Sequence, residues 1–142
     1  MLPSGLREAR SPLNSEKQMV RIAYVAQHRR GLRELLEQLA ETGYMVYRID
    51  PTVLAYKKLR DNPPDIIIAD ATLRESHVRE VVESVSSSRI TKEIPLCIVG
   101  CRLEVLDRMR KAAPVAKVVL SGEVTRKMLV EIVKQLATVL QH

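Results

Sequence analysis

Apolar positions in this chain fall into short continuous runs, separated by stretches where they recur every three or four residues. Val20–Ala26 is a β-rich run, and Leu32, Leu35, Leu36 and Leu39 follow at helical spacing. Gly43 is placed to end that helix as a C-cap. Tyr44–Ile49 predicts a second strand, and Asp50-Pro51 reads as an N-cap with proline at the first helical position. Val53, Leu54 and Leu59 would give the next helix its apolar side, and Asn62-Pro63-Pro64 would stop it. Asp65–Asp70 contains the run Ile66-Ile67-Ile68-Ala69, apolar on both faces, as an interior parallel strand must be. Val78, Val81, Val82 and Val85 form a helical stripe that ends at Ser86-Ser87-Ser88. Pro95–Val99 is a fourth strand, Leu103, Leu106 and Met109 suggest a short helix ended near Pro114, and Lys117–Leu120 is a fifth strand. Leu129, Ile132, Val133, Leu136 and Leu140 mark a long final helix.

Strands alternating with helices imply an α/β fold with helices on both faces of a parallel sheet. Five such units in series favour the flavodoxin-like, doubly wound five-stranded sheet of order 2-1-3-4-5. A site is then expected beyond the carboxyl ends of strands 1 and 3, where the strand order reverses. The residues to inspect are Ala26–Arg30, Asp70–Leu73, Gly100–Arg102 and Ser121–Glu123. Residues 1–18 read as a polar, flexible N-terminal tail, and 19–142 as one domain.

Composition narrows the classes. At 142 residues, 46% apolar and 28% charged, the chain can bury a core without disulfide or metal. No apolar run reaches the roughly 18 residues of a membrane span. The first 18 residues lack the apolar core of a signal peptide, and two cysteines make no disulfide framework. A cytoplasmic protein without membrane association is expected. The net charge of +6 permits an acidic partner. With four tyrosines, no phenylalanine and no tryptophan, stacking platforms for nucleic acid are scarce, so direct nucleic-acid binding is not expected. Cys97 reads as a buried strand residue and Cys101 as lying beyond the strand end. His28, His77 and His142 are scattered, and no metal site or cofactor is expected.

Pro64-Asp65-Ile66-Ile67-Ile68-Ala69-Asp70 resembles the third strand of response-regulator receiver domains (CheY-like), in which Pro-Asp opens the strand and a phosphorylated aspartate closes it. Arg33-Glu34-Leu35-Leu36 and Gly43-Tyr44 also sit where receivers commonly carry such residues. The resemblance runs from about Val20 to Gln141 and implies that Asp70 is the phosphoacceptor equivalent. The departures are as informative. The family's acidic pair after strand 1 falls on Ala26 and Gln27, or on Gln27 and His28 if the alignment slips by one. Its Ser or Thr at the end of strand 4 falls on Gly100, and its Lys near the end of strand 5 falls on Gly122, beside Ser121.

A phosphoryl group on Asp70 would carry about −1.5 to −2 charges. Phosphoryl transfer is mostly neutralisation of such charge by metal and cations. At an effective dielectric of about 20, each missing cation at about 4 Å removes about 4 kcal/mol. Asp70 is therefore expected not to be phosphorylated efficiently. The resemblance implies a pseudo-receiver, a non-catalytic signalling module of a two-component-type pathway. Its partner would be a signalling protein, a kinase or output domain, or a second copy in a homodimer. In the family, the surface made by helix 4, strand 5 and helix 5 usually contacts partners, so Arg102, Arg108 and Lys111 are a candidate partner face, with Arg110 beside them. Gln27-His28-Arg29-Arg30, ahead of the first helix, is a candidate anion-binding set. The alternatives are a response regulator phosphorylated on Asp70, and a flavodoxin-like domain that binds a small molecule or anion.

Overall fold

Ile66-Ile67-Ile68-Ala69-Asp70 forms β3, and every residue of it is buried, because a strand at the middle of a parallel sheet is covered on both faces. In the computed structural model, which describes residues 19–140, β1 (Arg21–Val25) lies on one side of β3 and β4 (Leu96–Cys101) on the other. Ile22 pairs with Ile66, Val25 with Ala69, and Asp70 with Val99. β2 (Met45–Ile49) adds outside β1, and β5 (Val118–Ser121) outside β4. The order is β2-β1-β3-β4-β5, all parallel, as the alternation of elements predicts. The crossovers are α1 (Leu32–Ala40), α2 (Ala55–Asp61), α3 (Glu75–Ser87) and α4 (Leu106–Ala112, entered through a 3-10 turn at Leu103–Val105), and α5 (Arg126–Leu140) ends the fold.

The period-2 alternation of the strands sorts the core into two layers. Ala23, Val25, Ile67, Ala69 and Ile98 pack with Leu59 of α2, Val78 and Val82 of α3, and Met109 of α4. Ile22, Tyr24, Ile66, Ile68 and Val99 pack with Leu32 and Leu39 of α1 and Leu129 and Val133 of α5. Burial of each large aliphatic side chain stabilises the fold by about 1.5–3 kcal/mol. Asp70 belongs by alternation to the α1/α5 face, and this sets which neighbours can reach its carboxylate.

Several boundaries differ from the sequence expectation. The helix expected from Asp50-Pro51 begins only at Ala55. Ahead of it a turn is held by the Thr52 amide on Asp50 O, the Leu54 amide on Thr52 Oγ1 and the Ala55 amide on Thr52 O. This local competition by threonine keeps Val53 and Leu54 out of the core, at 91% and 55% exposure. Leu103 is likewise exposed, and Val105 takes the inward position with Met109. Cys101 lies within β4, not beyond it. A register irregularity between Ile98 and Cys101 reverses the alternation, so Cys97 and Cys101 face opposite layers and cannot pair. Both thiols are buried, and burial pushes that of Cys97 up to about 12. The expected N-terminal tail and the last two residues lie outside the described residues. Among the described residues no helix is long and apolar enough to cross a membrane.

Truncating Leu59, fully buried in α2, is expected to cost about 2–5 kcal/mol in denaturant unfolding. Val53→Ser and Leu54→Ser should stay within about 0.5 kcal/mol of the parent. A loss at Val53 as large as that at Leu59 would contradict the placement of the 51–54 turn outside the core.

Candidate functional site at the carboxyl edge of the sheet

Asp70 ends β3 with its residue 1% exposed, so its carboxylate must find partners inside the protein. It finds four. Oδ2 accepts from the Tyr24 hydroxyl at 2.7 Å and from Nη2 of Arg29 at 2.7 Å. Oδ1 accepts from the Thr72 amide at 2.9 Å and from Thr72 Oγ1 at 2.6 Å. A carboxylate offers about four lone-pair positions, and here each has a donor. The charge is balanced by the Arg29 guanidinium, itself 21% exposed.

Each donor is placed by an identifiable feature of the chain. Register puts Tyr24 of β1 beside Ile68, on the α1/α5 face, and the length of the ring carries its hydroxyl to the end of the neighbouring strand. Arg29 sits in the loop between β1 and α1, whose turn is closed by the Leu32 amide on Arg29 O. Thr72 lies two residues beyond Asp70, the spacing at which an aspartate bonds the backbone ahead of it in an Asx-turn. The Tyr24 phenol has its pKa raised, first by burial, then by the negative charge of Asp70, for which it must remain a proton donor.

Gly100 completes the arrangement by having no side chain. It adopts a φ of +72°, and a Cβ there would lie 2.4 Å from Thr72 Oγ1 and 2.8 Å from Asp70 Oδ1. The backbone of β4 thus approaches the Asp70–Thr72 turn closely, as only glycine permits. The turn is tied to the same strand by the Ala71 amide on Val99 O at 2.8 Å.

With Gly122 at the family's lysine position, the sequence offers no evident cation for Asp70; the structure corrects this, since the Arg29 guanidinium is in contact with it. Of the residues singled out as an anion-binding set, Arg29 is engaged by Asp70. Gln27 and His28 line two different depressions, one beside Arg74 and His77 and the other along α1 beside Arg48, while Arg30 is exposed. The four do not converge. Ala26 is buried, its amide bonded to Ile49 O, and Asp50 pairs with Arg48. Ser121 ends β5 and Gly122 follows it, with the Gly122 amide on Cys101 O. Arg102, Arg108 and Lys111 are exposed, and Arg102 has Glu104 at 3.5 Å. Tyr24 is not among the positions the sequence singles out, and Thr72 falls within the Asp70–Leu73 stretch to inspect but without an assigned role. A hydroxyl amid an otherwise aliphatic strand, and a threonine two residues past the aspartate, were the available signals.

A scan of the chain against protein-family models gives no match, and no curated protein matches it. Solved structures do. A candidate response regulator from Chloroflexus aurantiacus J-10-fl superposes with a TM-score of 0.71 at 20% identity, over 84% of this chain and 98% of the other. The chemotaxis protein CheY4 of Vibrio cholerae gives 0.68 at 20% identity, over 84% and 99%. The receiver domain of a sensor histidine kinase from Pseudomonas aeruginosa, solved with magnesium coordinated in its active-site cleft, gives 0.68 at 16%, over 83% and 97%. The chain therefore has the receiver fold.

The raised phenol of Tyr24 has a consequence at high pH. An unfolded tyrosine loses its proton near pH 10, whereas folded Tyr24 holds it, so the stability this group contributes is complete below pH 10 and lost as pH rises beyond it. Ultraviolet titration of the native protein should show Tyr24 ionising only together with unfolding, and Tyr24→Phe should remove that step. Free titration of Tyr24 near pH 10 in folded protein would contradict its burial against Asp70.

Proposed function

We propose that this chain is a non-catalytic pseudo-receiver, a signalling domain of a two-component-type pathway that acts by binding other proteins. The single observation that carries this reading is the occupied state of Asp70: every acceptor position is filled, and the counter-charge is an arginine of the same chain.

A carboxylate that attacks a phosphoryl group needs a free lone pair, and the transferred group needs cations around its oxygens. Here the lone pairs are taken by Tyr24, Arg29 and Thr72. Parting a buried carboxylate from its guanidinium costs about 3 kcal/mol, near the low end for buried pairs because Arg29 keeps some solvent contact. Magnesium is bound through carboxylates. Ala26 and Gln27 occupy the positions after β1 where the receiver resemblance places the acidic pair, and neither supplies one. Among the described residues no group of three or more His, Cys, Asp or Glu side chains is arranged to hold a metal ion. Arg29 itself supplies the positive charge, fixed in place and independent of any phosphate donor.

The fold neighbours support the pathway class. They comprise response regulators and receiver domains of sensor kinases, proteins whose names place them in two-component signalling. A domain with that fold and a permanently neutralised aspartate keeps its surfaces for docking a kinase, an output domain or a second copy, while losing the chemical input. The rival reading, phosphorylation of Asp70, requires the Arg29 contact to open first. An anion-binding reading of the first loop would need Arg29, which Asp70 already holds.

Incubation with acetyl phosphate and Mg²⁺ followed by intact-mass measurement should leave the protein unmodified, while a catalytically competent receiver treated in parallel gains phosphate. A stoichiometric phosphoryl adduct on Asp70 would overturn the assignment and make the chain an ordinary response regulator.

A further inference from the structure

The sheet has two free edges, and they are not alike. β5 is blunted: its register on β4 is broken between Ile98 and Cys101, the exposed Lys117 enters it, and Gly122 leaves it at a φ of +87°. Charge and irregular pairing are the usual protection of an edge against further strands. β2 has neither. It pairs with β1 along its whole length without a break and contains no proline, lysine or glycine. Its one charged side chain, Arg48, is turned back along the sheet, donating to Ala26 O at 3.0 Å and pairing with Asp50. In a parallel pair, alternate residues aim both backbone groups at the same neighbour. The Met45 amide bonds Val20 O, and Ile49 O accepts from the Ala26 amide, so Met45, Tyr47 and Ile49 face β1. The amides and carbonyls of Val46 and Arg48 therefore point outward, and among the described residues no strand meets them.

A depression flanks this edge on each face of the sheet, one under α1 and one under α2. The α1-side depression, of about 340 Å³, has Leu32, Leu36, Ala40 and Val46 as its apolar lining. Its charges cancel, Arg33 with Glu37 and Arg48 with Asp50, while His28 also lines it and Glu41 stands past the end of α1. The α2-side depression, of about 380 Å³, is lined by Tyr47, Ile49, Lys58, Asp61 and Asn62, and Arg48 borders both. The charge on this side is unbalanced. Arg21 lies over the Tyr47 ring, and Arg21, Lys57, Lys58 and Arg60 outnumber Asp61 and Asp65. Asp61 is already held by Lys57 and Arg60, and Asp65 accepts the Arg21 amide. Lys58 is exposed and has no carboxylate partner among the described residues.

From these observations we infer that the outer edge of β2 is a docking site for an extended segment of a partner protein, added as a further strand, whose side chains alternate between apolar and acidic. Its backbone pairs with Val46 and Arg48. Successive side chains of a strand point to opposite faces. One set enters the α1-side depression, where Leu36, Ala40 and Val46 favour apolar groups, and the other enters the α2-side depression, where a carboxylate meets Lys58. Backbone pairing supplies the affinity of such a site, and the depressions for alternate side chains supply its choice of partner. Charge disfavours a second copy as the occupant. A two-fold axis through paired β2 edges would set each α2 beside the other, bringing Lys57, Lys58 and Arg60 against their own counterparts. The inference rests on the protein-binding role proposed above and places that role at β2, away from Arg102, Arg108 and Lys111.

The test is selection of peptides from a random displayed library on the folded chain, followed by synthesis of the enriched sequence. Its binding is measured by fluorescence anisotropy and mapped by amide chemical shifts and hydrogen exchange. The expected peptide alternates Val, Ile or Leu with Asp or Glu, slows exchange of the Val46 and Arg48 amides, and binds more weakly as salt rises. Val46→Pro removes an outward amide and leaves the β2–β1 ladder intact, as an edge position allows, and should weaken binding about tenfold. Lys58→Ala, a change to an exposed side chain, should weaken it and reduce its salt dependence, and Lys111→Ala should leave it unchanged. The inference is overturned if no alternating peptide is enriched, if the shifts map to α4, β5 and α5, or if Lys58→Ala or a folded Val46→Pro binds as tightly as the parent. It is overturned equally if the Val46 and Arg48 amides are already protected in the free chain, by concentration-dependent pairing of two copies or by the chain itself. Those results leave the pseudo-receiver reading standing, whereas phosphorylation of Asp70 by acetyl phosphate would defeat that reading without changing this edge.

Discussion

The arrangement at the edge of the sheet depends on one ion pair, the contact between the Arg29 guanidinium and the buried Asp70 carboxylate. A carboxylate at the end of a central strand, out of water, is destabilising unless something neutralises it. Arg29 supplies the charge, and Tyr24 and Thr72 supply the remaining donors. The consequences spread outward. The β1–α1 loop is fastened to β3, the turn after β3 is folded back onto its own strand, and β4 must carry glycine at position 100 to leave room for that turn. Position 100, where the receiver resemblance places a hydroxyl residue, is bare, and a hydroxyl stands at Thr72 instead, already committed to Asp70.

The fold was legible in the sequence because its signals are local and repeated. Ile66–Ala69 announces a strand buried on both faces, the valine stripe from Val78 to Val85 announces a helix, and their alternation implies the parallel order observed. Legibility failed where a single polar side chain outweighs the apolar pattern. Thr52 holds a turn that delays α2 and leaves Val53 and Leu54 in solvent, and an irregularity near Gly100 puts Cys101 on the face opposite Cys97.

The site was legible only in part, for a different reason. Asp70 stood out because it ends the clearest strand. Its partners Tyr24 and Arg29 did not, because they come from 46 and 41 residues earlier, and nothing local marks which arginine of the Arg29-Arg30 pair turns inward. Fold and site are therefore read separately. The chain superposes on receiver domains at 16–20% identity, one of them solved with magnesium in its cleft, while its own aspartate is held by an arginine. Shared architecture says where a site would be; the side chains decide what it can do.

A double-mutant cycle between Arg29 and Asp70, read by equilibrium unfolding, tests the central claim most directly. Arg29→Met should cost about 3 kcal/mol when Asp70 is present, because it strands a buried charge, and far less in an Asp70→Asn background. Coupling near zero, with Arg29→Met equally mild in both backgrounds, would mean that the guanidinium does not neutralise Asp70 in solution, and the account built on that contact would be wrong.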